Sequence, residues 1–335
     1  MTNTAPIGVG IAGASMTPAE RALLAQIAPW AIILFRRNLE ALDQVADLVG
    51  EIRRLPGPPR LCVDQEGGPV DRFRDLLGPS ISFRAAAGRR NARRAGELAG
   101  EACARLGFDV DLAPVVDRLL PGASENVLRD RCASADPGEV SRAASEFLDG
   151  LHARGVGGCV KHFPGLGRSG LDTHRELPVI PVDPGQESSD LAPFQATMEK
   201  AGAVMVSHAA GQDGQPASLS RERVTDLLRG RLHFSGAAFS DDLEMGALSA
   251  FGSLPQRCAA AMRAGCDLVL VCSRSEEYGD CMAALEREVP PERRAEALSR
   301  LAVYGRHLDG LRRAVAVPER RLEELIEDIR ALASL

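Results

Sequence analysis

The segment AIILFRRNLEALDQVADLVGEIRRLPGPPRLCVD, residues 31–64, contains the unit from which the fold is predicted. It begins with the apolar run Ala31–Phe35, continues with the amphipathic helical pattern Glu40–Arg54, and ends with a second apolar run, Arg60–Asp64. Short apolar runs that alternate with helical patterns indicate parallel strands joined by crossover helices. The segment therefore predicts one strand–helix–strand unit of an α/β protein.

The same unit recurs along the chain of 335 residues. Eight short apolar runs are candidate strands: Ile7–Ala12, Ala31–Phe35, Arg60–Asp64, Phe108–Leu112, Gly157–Lys161, Ala203–Ser207, Ala237–Ser240 and Leu268–Cys272. Helical patterns lie between them: Pro18–Ile27, Glu40–Arg54, Arg90–Leu106, Pro137–Arg154, Ser189–Lys200, Arg221–Arg229, Leu254–Ala264 and Glu276–Glu288. Eight repeats favour a closed (β/α)8 TIM-type barrel over an open sheet, and one barrel can have this length.

The region after Val289 predicts two further helices, Glu292–Tyr304 and Glu319–Leu332. No shift in composition and no low-complexity tract marks a linker between these helices and the barrel. We therefore expect a single α/β domain that spans residues 1–335.

Composition indicates a globular enzyme with a sizeable core, because 45% of the residues are hydrophobic and 26% are charged. The net charge of −6 argues against nucleic-acid binding, and Arg89, Arg90, Arg93 and Arg94 fit a solvated helix face. The apolar stretch Trp30–Phe35 is far shorter than the roughly 20 residues of a membrane helix. The N-terminal residues lack a basic leader, so we expect a cytoplasmic protein that does not bind membranes.

The chain contains eight cysteines, several of them within apolar runs, and no Cys-x-x-Cys pair. They are Cys62, Cys103, Cys132, Cys159, Cys258, Cys266, Cys272 and Cys281. This pattern predicts buried free thiols in a reducing compartment rather than a disulfide framework. A structural zinc site is the weaker alternative.

Polar residues follow several of the predicted strands. In a (β/α)8 barrel, the loops after the C-terminal ends of the strands build the active site. The residues at those positions are Arg36, Arg37 and Asn38, then Asp64 to Gly68, Lys161 and His162, His208, and finally Asp241 and Asp242. We expect these ionisable groups to converge on one rim of the barrel.

Gly8, Gly10 and Gly13 match the dinucleotide-binding pattern G-x-G-x-x-G. Almost no strand precedes the pattern, however, and no clear acidic residue ends a second strand, where the partner of a ribose would lie. We interpret the segment as the first barrel strand, with small residues at a crowded position, and expect no cofactor.

The segment after the third predicted strand reads Asp64-Gln-Glu-Gly67-Gly68. Two consecutive glycines permit a tight backbone course that other residues resist. Arg72, on the following turn, could bind the same ligand as Asp64. A purely structural acidic turn remains an alternative.

The most informative stretch is KHFPGLGRSGLDTH, residues 161–174. It leaves a strand with a cation and an imidazole and then passes through a glycine-rich loop to Asp172 and His174. An aspartate two residues before a histidine can orient its ring, and a histidine held in this way can donate and accept protons near neutral pH. A surface histidine and a metal ligand are the alternatives. The spacing of His162, His174 and His208 matches no metal motif, so no metal is expected.

Asp241 and Asp242 follow the apolar run Ala237–Ser240. A carboxylate at the end of a barrel strand can attack an anomeric carbon and form a glycosyl-enzyme intermediate. Asp241 lies nearer the strand end and is predicted to point inward, whereas Asp242 is predicted to cap the next turn. On these residues alone, a functional and a structural interpretation are equally open.

Taken together, these segments resemble the family-three glycoside hydrolases, specifically the bacterial β-N-acetylhexosaminidases of peptidoglycan recycling. The resemblance runs from about Ile32 to Ser273. Its motifs, in order, are ILFRRN, VDQEGGPVDRF, LAPVVD, Arg131, KHFPGLG with DTH, VMVSHA, PASLS, FSDDLEM and AGCDLVLVCS. It implies a (β/α)8 barrel that removes terminal β-linked N-acetylglucosamine with retention of configuration.

The resemblance also implies a role for each matched position. It makes Asp241 the nucleophile and His174 the general acid/base, with Asp172 as the partner of His174. The positions implied to hold the sugar in the non-reducing-end subsite are Asp64, Arg72, Arg131, Lys161 and His162. His208 matches a pocket position whose role the resemblance leaves open. The implied substrate is a small carbohydrate or muropeptide, and we expect a monomer.

Two positions depart from the family pattern. Leu166 stands where the usual Lys-His-Phe-Pro-Gly-His-Gly has a histidine, and Thr173 stands where a serine is usual. The leucine removes a polar group from the loop, which puts in question the closed geometry of the loop and its affinity for the leaving sugar. Three alternative functions stay open: a phosphorylase on the same scaffold, a β-glucosidase, and a non-catalytic sugar-binding homologue.

Overall fold

The strands form one parallel sheet that closes on itself. The computed structural model describes residues 4–120, 128–167, 177–179, 184–315 and 320–335. In these ranges the strands are β1 Ala5–Val9, β2 Pro29–Leu34, β3 Arg60–Val63, β4 Gln65–Gly67, β5 Val70–Asp71, β6 Val110–Asp111, β7 Gly157–Gly158, β8 Val160–Phe163, β9 Ala203–Val206, β10 Ala237–Asp242 and β11 Leu268–Val271. The barrel strands pair in parallel in the order β7-β6-β3-β2-β1-β11-β10-β9-β8. Strands β4 and β5 form a separate antiparallel hairpin.

The two ends of this sheet are consecutive pieces of the chain. Strand β7 ends at Gly158 and β8 begins at Val160, so only Cys159 separates them. Because β7 pairs with β6 and β8 pairs with β9, this one segment closes the ring. Each of the eight predicted apolar runs overlaps a strand, and the predicted (β/α)8 barrel is confirmed.

One strand boundary differs from the prediction. The sequence predicts a strand that ends at Ser240, whereas β10 continues through Asp242. The reason is an irregular register, because Phe239 pairs with Leu268 but Asp242 pairs with Leu270. The two aspartates therefore belong to the strand end itself rather than to the loop after it.

The helices that lie between strands are Pro18–Ile27, Leu42–Arg53, Arg74–Leu77, Phe83–Gly88, Ala92–Leu106, Pro137–His152, Pro184–Ala201 and Leu254–Ala264. The helices Tyr278–Glu288, Pro291–Ala314 and Leu322–Ala333 follow the last strand. A π-helix occupies Glu222–Arg231. The first helix has the predicted bounds because Thr17 and Glu20 form a capping box at its start. The helix after Val289 is longer than predicted, since it runs without interruption to Ala314.

Small residues on β1 and directly after it are required by their neighbours. A Cβ atom added to Gly10 would lie 1.9 Å from the backbone oxygen of Cys272, and one added to Gly8 would lie 2.6 Å from Leu270 Cδ2. Real Cβ atoms do not approach other atoms so closely. Gly8 and Gly10 therefore lie at crowded positions of the first barrel strand and its end, as predicted, whereas a Cβ atom on Gly13 would meet nothing within 4 Å.

The helix Pro291–Ala314 closes the N-terminal end of the barrel. Its residues Leu301, Tyr304 and Leu308 belong to the same buried cluster as the barrel interior. The ring of Tyr304 stacks on Trp30 with centroids 6.0 Å apart, and its hydroxyl donates to the backbone oxygen of Gly158 at 2.8 Å. The opposite, C-terminal end of the barrel carries Lys161, His162 and Asp241, which are predicted site residues.

Two further predictions concern buried and exposed surface. All eight cysteines are buried and free, as predicted. Arg93 and Arg94 pair with Glu97 on the helix Ala92–Leu106, and their side chains remain 61% and 39% exposed. Among the helices that the structure describes, none has the length and apolar character needed to cross a membrane.

Candidate active site

The C-terminal ends of the strands bring most of the predicted site residues together. Lys161 and His162 lie on β8, Asp64 follows β3, and Asp241 lies near the end of β10. Arg131 comes from a turn that reaches over the same rim and contacts His162. Because the strands are parallel, their carboxyl ends meet at one rim, and the predicted convergence is found.

A buried network of ion pairs forms one side of this rim. Lys161 Nζ lies 2.7 Å from Asp64 Oδ1 and 2.6 Å from Glu66 Oε1. Arg131 donates to both oxygens of Glu66, from Nε at 2.7 Å and from Nη2 at 3.0 Å. The side chains of Lys161 and Glu66 are each 2% exposed. Two cations and two carboxylates thus balance one another inside the site.

Glu66 is the common acceptor of this network, although sequence reasoning did not select it. Burial raises the pKa of Glu66, but Arg131 and Lys161 outweigh this effect and hold it well below its ordinary value. A signal was available, because residues two apart in an extended segment point to the same side. Glu66 therefore faces the same way as Asp64.

Asp117 holds His162 in one orientation. Asp117 Oδ2 lies 2.7 Å from His162 Nδ1 and accepts the backbone N–H of His162 at 3.2 Å. On the other side of the ring, Arg131 Nη2 lies 3.3 Å from His162 Nε2. An arginine can only donate, so Nε2 accepts and Nδ1 carries the proton that is donated to Asp117. Asp117, within the motif LAPVVD, is a second residue that sequence reasoning did not select.

His208 is buried next to the strand that carries the candidate nucleophile. Its Nε2 donates to the backbone oxygen of Asp242 at 2.8 Å, and its Nδ1 accepts from Ser218 Oγ at 2.7 Å. The tautomer follows because a carbonyl oxygen only accepts. Burial lowers the pKa of His208, so the ring is neutral near pH 7. His208 therefore supports the end of β10.

The two neighbouring carboxyls of β10 differ in their protonation. Burial raises the pKa of Asp241, but His208, His162, Lys161 and the backbone N–H of Asp242 outweigh this effect and leave it below its ordinary value. Asp241 is therefore ionised at neutral pH.

For Asp242, burial outweighs the effects that lower the pKa. Burial, together with the charges of Glu244 and Asp241, raises the pKa of Asp242 to about 7. Its Oδ1 accepts the backbone N–H of Glu244 at 3.1 Å, so this side chain caps the turn after the strand. Two adjacent carboxyls with pKa values that are pushed apart are suited to different roles.

Arg72 lies at the edge of the network. Its Nη2 is 3.8 Å from Asp64 Oδ2, and its guanidinium lies over the ring of Phe35 at 5.7 Å from the centroid. Asp64 is thus shared between a close lysine and a more distant arginine. This leaves Arg72 with donors that can turn towards a ligand at the rim.

Asp172 and His174 lie outside the described residues. The described chain ends at Gly167 and begins again at residue 177. In the described ranges, no group of three or more His, Cys, Asp or Glu side chains is arranged to hold a metal ion.

Leu166 is buried among apolar side chains. It is 5% exposed and belongs to a small cluster with Val115, Leu128, Cys132 and Ala209. Its backbone N–H donates to Asp117 Oδ1 at 2.6 Å. The departure from the family motif therefore places an apolar side chain in an apolar environment.

Comparisons with known proteins agree with this architecture. The family model described as the glycosyl hydrolase family 3 N terminal domain matches residues 8–302. A beta-hexosaminidase from Chromobacterium violaceum is 37% identical over 328 residues, which cover 94% of this chain and 91% of the relative. A beta-hexosaminidase from Thioalkalivibrio sulfidiphilus is 36% identical over 315 residues, which cover 90% of this chain and 89% of the relative.

Solved structures show the same fold. NagZ from Neisseria gonorrhoeae in complex with N-trifluoroacetyl-D-glucosamine superposes with a TM-score of 0.84 at 27% identity, over 99% of both chains. A glycoside hydrolase family 3 beta-N-acetylglucosaminidase from Paenibacillus sp. superposes with a TM-score of 0.85 at 29% identity, over 98% of this chain and 67% of that chain. With a family match over most of its length, this chain belongs to glycosyl hydrolase family 3 and is a glycoside hydrolase.

Proposed function

We propose that the chain is a retaining exo-β-N-acetylglucosaminidase, which hydrolyses terminal β-linked N-acetylglucosamine. The observation that carries the proposal is the ionised carboxylate of Asp241, which lies near the end of β10 on the rim that also carries Lys161 and His162 and whose pKa stays below its ordinary value. A carboxylate at this position can act as the nucleophile of a double displacement. The names of the relatives, beta-hexosaminidase and beta-N-acetylglucosaminidase, support the choice of sugar.

In the first step, Asp241 attacks the anomeric carbon while protonated His174 donates its proton to the departing oxygen. In the second step, neutral His174 takes a proton from water, which attacks the glycosyl-enzyme intermediate. Asp172 stabilises the imidazolium form of His174 before the first step. The lowered pKa of Asp241 suits a nucleophile, because the group must be ionised before it can attack.

The ion-pair network supplies the groups that hold the sugar. Asp64 accepts hydrogen bonds from sugar hydroxyls, and Lys161 and Arg131 donate to hydroxyl oxygens. Glu66 binds both of these cations and so fixes the directions in which their remaining donors point. His162 is held by Asp117 and lies 3.3 Å from Arg131. Groups held in this way lower the barrier through orientation.

We further propose that the protein acts as a monomer in the cytoplasm, on small carbohydrates or muropeptides of peptidoglycan recycling. Eight buried free thiols fit a reducing compartment. Separating soluble and membrane fractions of the native host and measuring the molar mass in solution test these two points.

The proposed activity is tested with nitrophenyl N-acetyl-β-glucosaminide and nitrophenyl β-glucoside, each with and without inorganic phosphate. We expect turnover of the N-acetylglucosaminide alone, at a rate that phosphate does not change, with N-acetylglucosamine as the product. Formation of a sugar phosphate would indicate a phosphorylase. Preference for the glucoside would indicate a β-glucosidase, and binding of N-acetylglucosamine without turnover would indicate a sugar-binding protein.

A further inference from the structure

A small apolar cluster lies behind the polar network of the candidate site. Its buried members are Val115, Leu128, Cys132, Leu166 and Ala209, each at most 5% exposed. Among the described residues, this cluster is separate from the two larger hydrophobic clusters, which fill the barrel interior and the layer between the barrel and its helices. Its side chains therefore pack against one another rather than against the main core.

The members of this cluster are direct neighbours of candidate sugar-binding residues. Cys132 follows Arg131 in the chain, and Ala209 follows His208. The backbone oxygen of Leu128 accepts the N–H groups of Arg131 at 3.0 Å and of Cys132 at 2.9 Å. The turn from residue 128 to residue 132 thus packs two apolar side chains into the cluster and presents the guanidinium of Arg131 to Glu66.

The segment that carries Leu166 is wound tightly against Asp117. Asp117 Oδ1 accepts the backbone N–H of Leu166, while Oδ2 holds His162. Within the segment, Gly165 N–H donates to the backbone oxygen of His162 at 2.8 Å. A Cβ atom on Gly167 would lie 1.9 Å from the backbone oxygen of Arg118, so the chain passes directly against the backbone beside Asp117. His162 and Leu166 are therefore parts of one rigid unit.

We propose that Leu166 is a positioning residue for sugar binding. Its side chain packs the segment from residue 162 to residue 167 against the turn that carries Arg131. This packing keeps Arg131 and His162 at fixed positions relative to each other. Leu166 itself does not touch the sugar. The inference rests on the proposed function, because it concerns how the same subsite is held.

The effect of removing this side chain follows from the size of the cluster. Truncation of a buried leucine leaves a cavity that the surroundings fill only in part. In a cluster of five residues the neighbours shift to fill it, and displacement of binding groups by about 1 Å can reduce rates by about 100-fold. The displaced groups here are Arg131 and His162, so the loss falls mainly on affinity for the sugar.

The test compares Leu166→Ala with Leu285→Ala. Leu285 is 1% exposed in the main core and lies on the helix Tyr278–Glu288, so it controls for loss of an equally buried leucine. We expect Leu166→Ala to raise KM for the nitrophenyl glycoside and Kd for N-acetylglucosamine at least about tenfold, with a smaller change in kcat. We expect Leu285→Ala to lower Tm and leave KM and Kd unchanged.

Two further variants keep the test decisive. Leu166→Met conserves volume and is expected to restore KM to within about threefold of the parent, because volume-conserving apolar exchanges are tolerated best. If Leu166→Ala does not fold, Leu166→Val is tested in its place. A KM of the Val variant that lies between the KM of the parent and that of the Met variant would contradict the proposal. An unchanged KM and Kd in a folded Leu166→Ala protein, with only Tm lowered, would overturn it.

Hydrogen exchange separates this inference from the proposed function. Peptides that cover residues 128–132 and 160–167 are expected to lose protection in Leu166→Ala and to keep it in Leu285→Ala. If the parent protein does not hydrolyse the glycoside, the proposed function fails, and the exchange result alone then decides whether Leu166 joins the two segments. Equal protection in both variants would overturn the inference.

Discussion

The carboxylate of Asp117 holds His162 at two points, the ring Nδ1 at 2.7 Å and the backbone N–H at 3.2 Å. This double contact fixes both the position of the residue and the tautomer of its ring. It leaves Nε2 as an acceptor, which Arg131 approaches at 3.3 Å. The orientation of His162, which we propose binds the sugar, is thus set by a residue that belongs to the neighbouring strand connection.

We predict that Asp117→Asn weakens binding of N-acetylglucosamine by about 10- to 100-fold, because a hydrogen bond to a charged group contributes about 1.5–3 kcal/mol. The amide can also present its NH2 group to Nδ1, which would reverse the tautomer. Isothermal titration calorimetry measures the affinity, and nitrogen chemical shifts of the ring report the tautomer. An unchanged affinity together with a reversed tautomer would show that His162 does not bind the sugar through Nε2.

We predict that Asp241→Asn keeps the fold and the affinity for N-acetylglucosamine but abolishes turnover. The amide has nearly the shape of the carboxylate, but it cannot form the glycosyl-enzyme intermediate. Mass spectrometry with a slow fluorinated substrate measures covalent labelling in the parent and its loss in the variant. A near-normal rate would assign the nucleophile elsewhere, and Asp242 would be the next residue to test.

We predict that His174→Ala loses far less activity on a nitrophenyl glycoside than on a natural disaccharide. The nitrophenolate departs with little help, whereas a sugar leaving group needs the proton, which general acid catalysis supplies with a gain of about 10²–10⁴-fold. Steady-state rates on both substrates measure the difference. Equal losses on the two substrates would argue against His174 as the acid.

We predict that Glu66→Gln destabilises the protein by about 3–5 kcal/mol, because it leaves Lys161 and Arg131 buried with too little negative charge. The matched control is Asp75→Asn, which removes an exposed partner of Arg36 and should cost no more than about 1 kcal/mol. Urea unfolding of the three proteins measures both changes. Similar losses in the two variants would mean that the Glu66 site is open to water.

We predict that Asp242 makes the protein less stable as pH rises from about 4 to about 7. Its pKa is raised from an ordinary value of 3.8 to about 7 in the folded state, so the folded protein binds a proton that the unfolded chain has already lost. This contribution is complete below pH 4 and is lost as pH rises towards 7. Asp242→Asn removes the titration, so its Tm relative to the parent should rise between pH 5 and pH 8. Parallel Tm curves for the two proteins would contradict the raised pKa.

The barrel could be predicted from sequence because its strands are buried on both faces and therefore appear as short apolar runs. The end of β10 could not, since Asp242 pairs with Leu270 only through a local shift in register. The short helix Phe83–Gly88 was not predicted for a different reason, since six residues are too few to show a helical period.

The site was predictable to the extent that polar residues follow strands. This pattern selected Asp64, Lys161, His162 and Asp241, which lie at the C-terminal ends of their strands. Glu66 and Asp117 were not selected, although they organise the others, because their importance lies in contacts between segments that are distant in sequence. Pairing of this kind depends on the closed barrel, and apart from the spacing of Glu66 from Asp64 no local pattern indicates it.

The closure of the barrel base by Leu301, Tyr304 and Leu308 has a consequence for synthesis on the ribosome. These side chains are made after all eight barrel segments. Until then, Trp30 and Phe239 lack the ring of Tyr304 that packs against them in the folded protein. At roughly 5–20 residues per second, the chain needs several seconds to pass from Val271 to Leu308. During that interval these aromatic side chains lack part of their cover, and transiently exposed apolar surface of this kind is what chaperones bind.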